Sequence, residues 1–166
     1  MMFIDSRISG EAGTYSALRA LLGVDTVARG APVLVGPDII QTIGAYTAVF
    51  TGPGLHVDSG TGLVDAGTIT GFTIKAGGTT LLTSFADPTS APAFWTSLQN
   101  GDLSIWRGFG FHYLAGAGID YMRGGSSADI FQYVGAGDEV IADDGDDLIY
   151  VTGDAPQVIN GGAGYD

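Results

Sequence analysis

AGAGIDYMR GGSSADIFQ YVGAGDEVI ADDGDDLIY VTGDAPQVI, residues 115–159, is the stretch on which the reading of this 166-residue chain turns. Cut into consecutive nine-residue units, it places Asp120, Asp129, Asp138 and Asp147 at the sixth position of the first four units and Pro156 in the fifth. The eighth position is apolar in all five: Met122, Phe131, Val140, Ile149 and Val158. Two positions that agree on one period mark a structural repeat. Physically, the period predicts a coil of short strands joined by glycine turns. Positions seven to nine of each unit form a strand, and the eighth side chain points inward to stack on its counterparts.

If each unit is half a coil, turns 18 residues apart lie above one another at about 4.8 Å, the strand spacing. Asp120 then stacks on Asp138, and Asp129 on Asp147. Carboxylates that close repel by roughly 1 kcal/mol even at the dielectric constant of water. A cation would reverse the sign. Two carboxylates plus turn carbonyls supply about six hard oxygen donors, a set suited to Ca²⁺ over the smaller, water-retaining Mg²⁺. Metal binding and folding would then be one event. The candidate ligands are the carboxylates of Asp120, Asp129, Asp138, Asp147 and Asp166 with the turn residues Gly116, Gly118, Gly125, Ser127 and Gly145. Two well-formed calcium sites are expected, with Asp147 and Asp166, 19 residues apart, as a third pair.

This segment resembles the RTX, or hemolysin-type, family of calcium-binding nonapeptide repeats, whose pattern is Gly-Gly-x-Gly-x-Asp-x-apolar-x. The matches are Gly116, Gly118, Asp120 and Met122, then Gly124, Gly125, Asp129 and Phe131, and finally Gly161, Gly162, Gly164 and Asp166. The departures are Tyr133 and Val134 in place of the first two glycines of the third unit, Ser127 and Ala136 at the fourth place, and Pro156 at the sixth. The resemblance implies a parallel β-roll, export by type I secretion machinery, and calcium-triggered folding outside the cell or at its surface. Ending in GGAGYD, the first six places of another unit, the sequence reads as truncated within its repeats.

Outward from the repeats, the charge changes character. Residues 116–166 carry ten acids against Arg123 alone, a net of −9, whereas residues 1–115 carry a net of −3. An overall charge of −12 argues against nucleic acid, because the phosphate term requires Lys and Arg. The absence of cysteine removes disulfides and thiolate metal sites. No window approaches a membrane span, and MMFIDSRISGEAG does not read as a Sec signal. Residues 1–114 read as a β-rich N-terminal capping domain. Short apolar runs (46–50, 55–57 and 68–74) alternate with glycine turns as strands, with one helix over residues 14–22 and a second over 92–99. The expected fold class is therefore all-β, a short parallel β-roll (β-solenoid) over residues 115–166 behind that cap.

Catalytic signatures are missing. His56 and His112 belong to no His-Glu-x-x-His motif, and there is no Gly-x-Ser-x-Gly. Gly60, Gly62 and Gly67 do not make a phosphate loop. Asp143, Asp144 and Asp146 lie out of register and read as solvated turn charge rather than as a glycosidase acid pair. Trp95, Trp106, Phe109, Phe111 and Tyr113 read as core joining cap to roll in preference to a glycan-stacking face. The sequence thus predicts a non-catalytic, calcium-binding module of a secreted or surface bacterial protein. The alternatives are an accessory part of an exoenzyme (a protease, lipase or polysaccharide-modifying enzyme) and an adhesin or surface-layer piece whose N-terminal part binds glycan or its own copy.

Overall fold

The computed structural model describes residues 2–5, 7, 14–102, 104–153 and 157–166. Pro156, the break in the Asp register, lies outside them. The protein is mainly β, 44% strand and 15% helix. Its N-terminal region is an antiparallel meander. Strands β2 (Val33–Val35), β3 (Asp38–Ile43), β4 (Tyr46–Thr51), β7 (Thr68–Ala76) and β8 (Thr79–Ser90) pair in that order, with the small hairpin β5 (His56–Val57) and β6 (Val64–Ala66) inserted between β4 and β7. Period-two alternation buries Ile39, Gln41 and Ile43 on β3 and Ala48 and Phe50 on β4.

The repeats add strands in two alternating series. β9 (Phe111–Leu114), β11 (Ile130–Val134) and β13 (Leu148–Val151) pair in parallel, with His112, Ile130 and Leu148 in register 18 residues apart. β10 (Tyr121–Arg123), β12 (Glu139–Ile141) and β14 (Val158–Asn160) form a separate parallel sheet, Tyr121 opposite Glu139. The first series does not stand alone. β1 (Met2–Asp5) pairs parallel with β9 on one side and antiparallel with β8 on the other, so one mixed nine-stranded sheet runs from β13 to β2. The pairing crosses the point where the composition changes, and the sheet that holds the first series is mixed, not that of the expected solenoid.

Helix α1 (Tyr15–Leu21) buries Leu18 and Leu21, and α2 (Ala91–Asn100) buries Phe94, Trp95 and Leu98 after a proline in its first turn. Gly101 closes α2 in the left-handed conformation, φ 63°. A third helix, α3 (Ser104–Arg107), was not foreshadowed by the sequence pattern and buries Trp106. Aromatic rings tie the two regions together. Phe50 meets Trp95 at 5.2 Å, Phe72 meets Trp106 at 6.1 Å, and Trp106, Phe111, Tyr113 and Phe131 then stack successively at 4.9, 5.5 and 5.3 Å. These rings are core, as is most of the eighth-place column: Met122, Phe131 and Val140 are buried.

The fifth unit departs from its expected register. Ile159, not Val158, stands opposite Val140, and Val158 is 64% exposed. One extra residue is therefore absorbed before Val158, and the step from β12 to β14 is 19 residues. A strand shifted by one residue turns its alternate side chains to the other face.

Candidate metal centre

Four sixth-place acids are the buried acids among the described residues: Asp120, Asp129, Asp138 and Asp147 are all 4% exposed or less. They line the turns that join the two series of strands, in two columns. One column holds Asp129, Asp147 and Asp166; the other holds Asp120 and Asp138. The vertical neighbours are those the 18-residue step requires, yet the contact between them is not carboxylate on carboxylate. Each side chain reaches back to the main chain 18 or 19 residues earlier. Asp138 Oδ1 accepts the Asp120 N–H at 2.9 Å, Asp147 Oδ1 accepts the Asp129 N–H at 2.8 Å, and Asp166 Oδ1 accepts the Asp147 N–H at 3.2 Å.

The second oxygen closes the acid's own turn. Asp120 Oδ2 accepts from Gly116 N at 2.6 Å, Asp129 Oδ2 from Gly125 N at 2.7 Å, and Asp138 Oδ2 from Gly135 N at 2.7 Å. Such charge-assisted bonds contribute about 1.5–3 kcal/mol each, so these acids tie each turn to the one before it and to its own strand. Asp147 is the exception. Its Oδ2 is buried and has no hydrogen-bond partner among the described residues.

Both columns are closed at the N-terminal end by groups that the sequence reading did not place there. Asp120 Oδ1 accepts the Thr14 N–H at 2.7 Å and the Thr14 hydroxyl at 2.8 Å. Thr14 is the N-cap residue of α1, and its hydroxyl makes no bond to its own helix. Asp129 Oδ1 accepts the Phe111 N–H at 2.6 Å, so the turn before β9 acts as a first rung with an aromatic at the sixth place. Arg19 of α1 sits over the Tyr15 and Tyr121 rings at 5.2 and 5.3 Å and reaches Glu139 at 3.6 Å, holding α1 against β10 and β12.

Among the other expected ligands, Gly116 and Gly125 present their N–H groups to the carboxylates of Asp120 and Asp129, and the Gly125 carbonyl accepts the Asp144 N–H at 3.1 Å. Gly118 lies in the turn between β9 and β10. Gly145, at φ +140°, brings its turn so close to the one below that a methyl group there would lie 2.6 Å from the Ser127 carbonyl oxygen and 3.1 Å from Asp147 Oδ1. Only glycine fits that position. A methyl on Gly164 would overlap the Gly145 carbonyl in the same way one coil further on.

Burial dominates the electrostatics. It pushes the Asp129 carboxyl up to about 6 against the opposing pull of the Gly125 and Phe111 amides, with Asp147 and Asp143 adding to the rise. Asp138 is raised, first by burial and then by Asp120. Asp147 is raised by burial and by Asp166, Asp146 and Asp143. One off-register acid is not solvated turn charge: Asp143 forks with Arg123 at 2.9 and 3.2 Å. Asp146 Oδ1 accepts the Tyr165 N–H at 3.0 Å.

Among the described residues, no three His, Asp or Glu side chains converge in a ready metal cage. The donor chemistry nonetheless fits Ca²⁺ in one place: the orphaned Asp147 Oδ2, the Asp166 carboxylate on the next turn and the Ser127 carbonyl, which closely approaches Gly145, are hard oxygens around glycine. Comparison with family models, curated proteins and solved structures finds no match to this chain.

Proposed function

We propose that the chain is a non-catalytic, calcium-binding module of the RTX type, its repeats forming a short parallel β-roll that completes its folding on Ca²⁺ after export to the cell surface or medium. The observation that carries this reading is the alignment of buried acids on successive coils of two parallel ladders, with one buried carboxylate oxygen unpartnered. Burying a carboxylate is costly unless it is neutralised or fully bonded. A divalent cation supplies the positive charge that the ten acids and one Arg of residues 116–166 lack. Type I secretion machinery is the partner this reading implies. Among the described residues no helix is long and apolar enough to cross a membrane.

The test is a calcium titration of the chelator-stripped protein, followed by circular dichroism and Trp fluorescence with magnesium as control. Trp106 is a suitable reporter because it is buried at the base of the ring stack, with its indole N–H 3.4 Å from the Arg123 carbonyl oxygen. A cooperative gain of β signal at millimolar calcium or below is expected, in the range of extracellular sites. A spectrum already complete in chelator and indifferent to calcium would instead establish the amide-to-carboxylate bonds as sufficient, making the repeats a metal-free ladder.

A further inference from the structure

We infer that the two Asp columns are not equivalent: calcium binds as a single ion at Asp147 and Asp166, while the Asp120 and Asp138 column is a metal-free structural ladder. The inference rests on the calcium reading above and specifies it, because the repeat pattern by itself makes every sixth-place Asp a ligand and predicts two or three ions.

Three observations separate the columns. The first is hydrogen-bond capacity. Asp120 accepts three bonds, from Thr14 N, Thr14 Oγ1 and Gly116 N, and Asp138 has both oxygens engaged by the amides of Asp120 and Gly135. In the other column Asp147 Oδ2 is the one buried carboxylate oxygen left without a partner among the described residues, on a side chain 4% exposed. An oxygen desolvated without compensation is destabilising, the more so when charged. A bound cation removes that cost.

The second is local charge. The turns of residues 142–147 and 161–166 hold Asp143, Asp144, Asp146, Asp147 and Asp166, whereas those of 115–120 and 133–138 hold Asp120 and Asp138 alone. Of the five, Asp143 is neutralised by Arg123, and the others leave a concentrated negative field around Asp147. The third is space. At Gly145 the turn leaves no room for a side chain between Asp147 and the Ser127 carbonyl, so main-chain oxygen is brought to the carboxylate. In the other column Tyr133, at φ 64°, occupies the first turn position of its unit. With Glu139 opposite Val158, the residue one strand on from Asp138 is Gln157, which has no carboxylate to offer.

Asp129 marks the boundary of the site. Its two oxygens are taken by Phe111 N and Gly125 N, so it supports the ion through the bond from its own N–H to Asp147 Oδ1. It is a positioning residue, and the ligands are Asp147 and Asp166.

The experiment is calcium binding by the full chain, with stoichiometry from equilibrium dialysis and affinity from calorimetry, on wild type, Asp147→Asn, Asp166→Asn and Asp138→Asn. One ion per chain is expected. Asp147→Asn and Asp166→Asn should each weaken it about tenfold or more, which is about 1.4 kcal/mol. Asp138→Asn should leave affinity within about twofold while lowering the melting temperature in chelator, since it removes a structural acceptor. Two or more ions per chain would overturn the inference but keep the calcium reading, as would equal losses of affinity in Asp138→Asn and Asp147→Asn. No binding by wild type would overturn both. Asp166 lies on the exposed last turn, so its variant tests the site even if Asp147→Asn fails to fold.

Discussion

The two ends of the parallel ladders are built differently. At the near end every group that a missing coil would have supplied has a substitute. Thr14 meets Asp120, the Phe111 amide meets Asp129, β1 pairs with β9, and α1 covers β10 through Tyr15 and Arg19. At the far end β13 and β14 are edge strands that leave Leu148, Tyr150, Val151, Val158 and Ile159 at least 40% exposed. The eighth place is apolar in all five units, so the contrast shows that its burial is set by the neighbouring strands rather than by that residue's own character. In a stack whose units contact only those above and below, stability concentrates where both sides are covered.

Substitution at the two ends makes the strongest test. Phe131, fully buried and stacked on Tyr113 at 5.3 Å with the planes 8° apart, sits where the near-end cap, the ring column and the sheet meet. Truncation to Ala should destabilise the protein by about 3–5 kcal/mol, the cost of a large core cavity. Ile159→Ala, at the equivalent inward place on the exposed coil, should cost less than about 1 kcal/mol. Urea unfolding followed by Trp fluorescence compares them. Similar losses would mean that the far end is as well packed as the near end, and the asymmetry would fail.

The second test uses acid. A carboxyl raised to about 6 in the folded state, against 3.8 as its ordinary value, binds its proton more tightly when folded. The stabilisation by Asp129 protonation is therefore complete below pH 3.8 and is lost as pH rises through about 6, a loss on the order of 3 kcal/mol. Asp138 and Asp147 act in the same direction; Asp5 and Asp58, lowered by hydrogen bonds from Arg7 and Thr61, act in the opposite one. In chelator the melting temperature should fall between about pH 4 and pH 7, and Asp129→Asn should flatten that fall. A melting temperature that rises across this interval in both proteins would show that the buried acids are hydrated or paired in solution.

What could be read from the chain follows the same division. The nine-residue period located β10, β11, β12 and β13, because a repeated pattern fixes register without knowledge of the rest of the fold. It failed at Val158, where one extra residue before the strand moved it by a place. The capping groups were out of reach for a different reason. Thr14 carries the local signature of a helix N-cap, yet its hydroxyl bonds a carboxylate 106 residues away, and nothing in the neighbouring sequence encodes that choice. Likewise β1 and the 12-residue β8, which contains Pro88, belong to no alternating run strong enough to mark them, and only their partners across the sheet define them as strands.

Asp143 gives the smallest but most discriminating test of the comparison, since sequence and structure assign it opposite characters. Out of register and flanked by acids, it reads as exposed turn charge whose loss changes nothing. In the fold it adopts φ 66° and forks with Arg123, the sole base of residues 116–166, with both side chains about one-fifth exposed or less. Neutralising it leaves the guanidinium largely buried and without its acid. Asp143→Asn should therefore destabilise by about 1 kcal/mol, more than an open surface pair and less than a buried one. Asp144→Asn, whose carboxylate makes no such pair among the described residues, should be neutral within about 0.5 kcal/mol. Parallel urea curves in chelator separate the two, and because Arg123 lies on β10 near the capped end while Asp143 lies one coil further out, a measurable difference would show that end lending stability to the next coil.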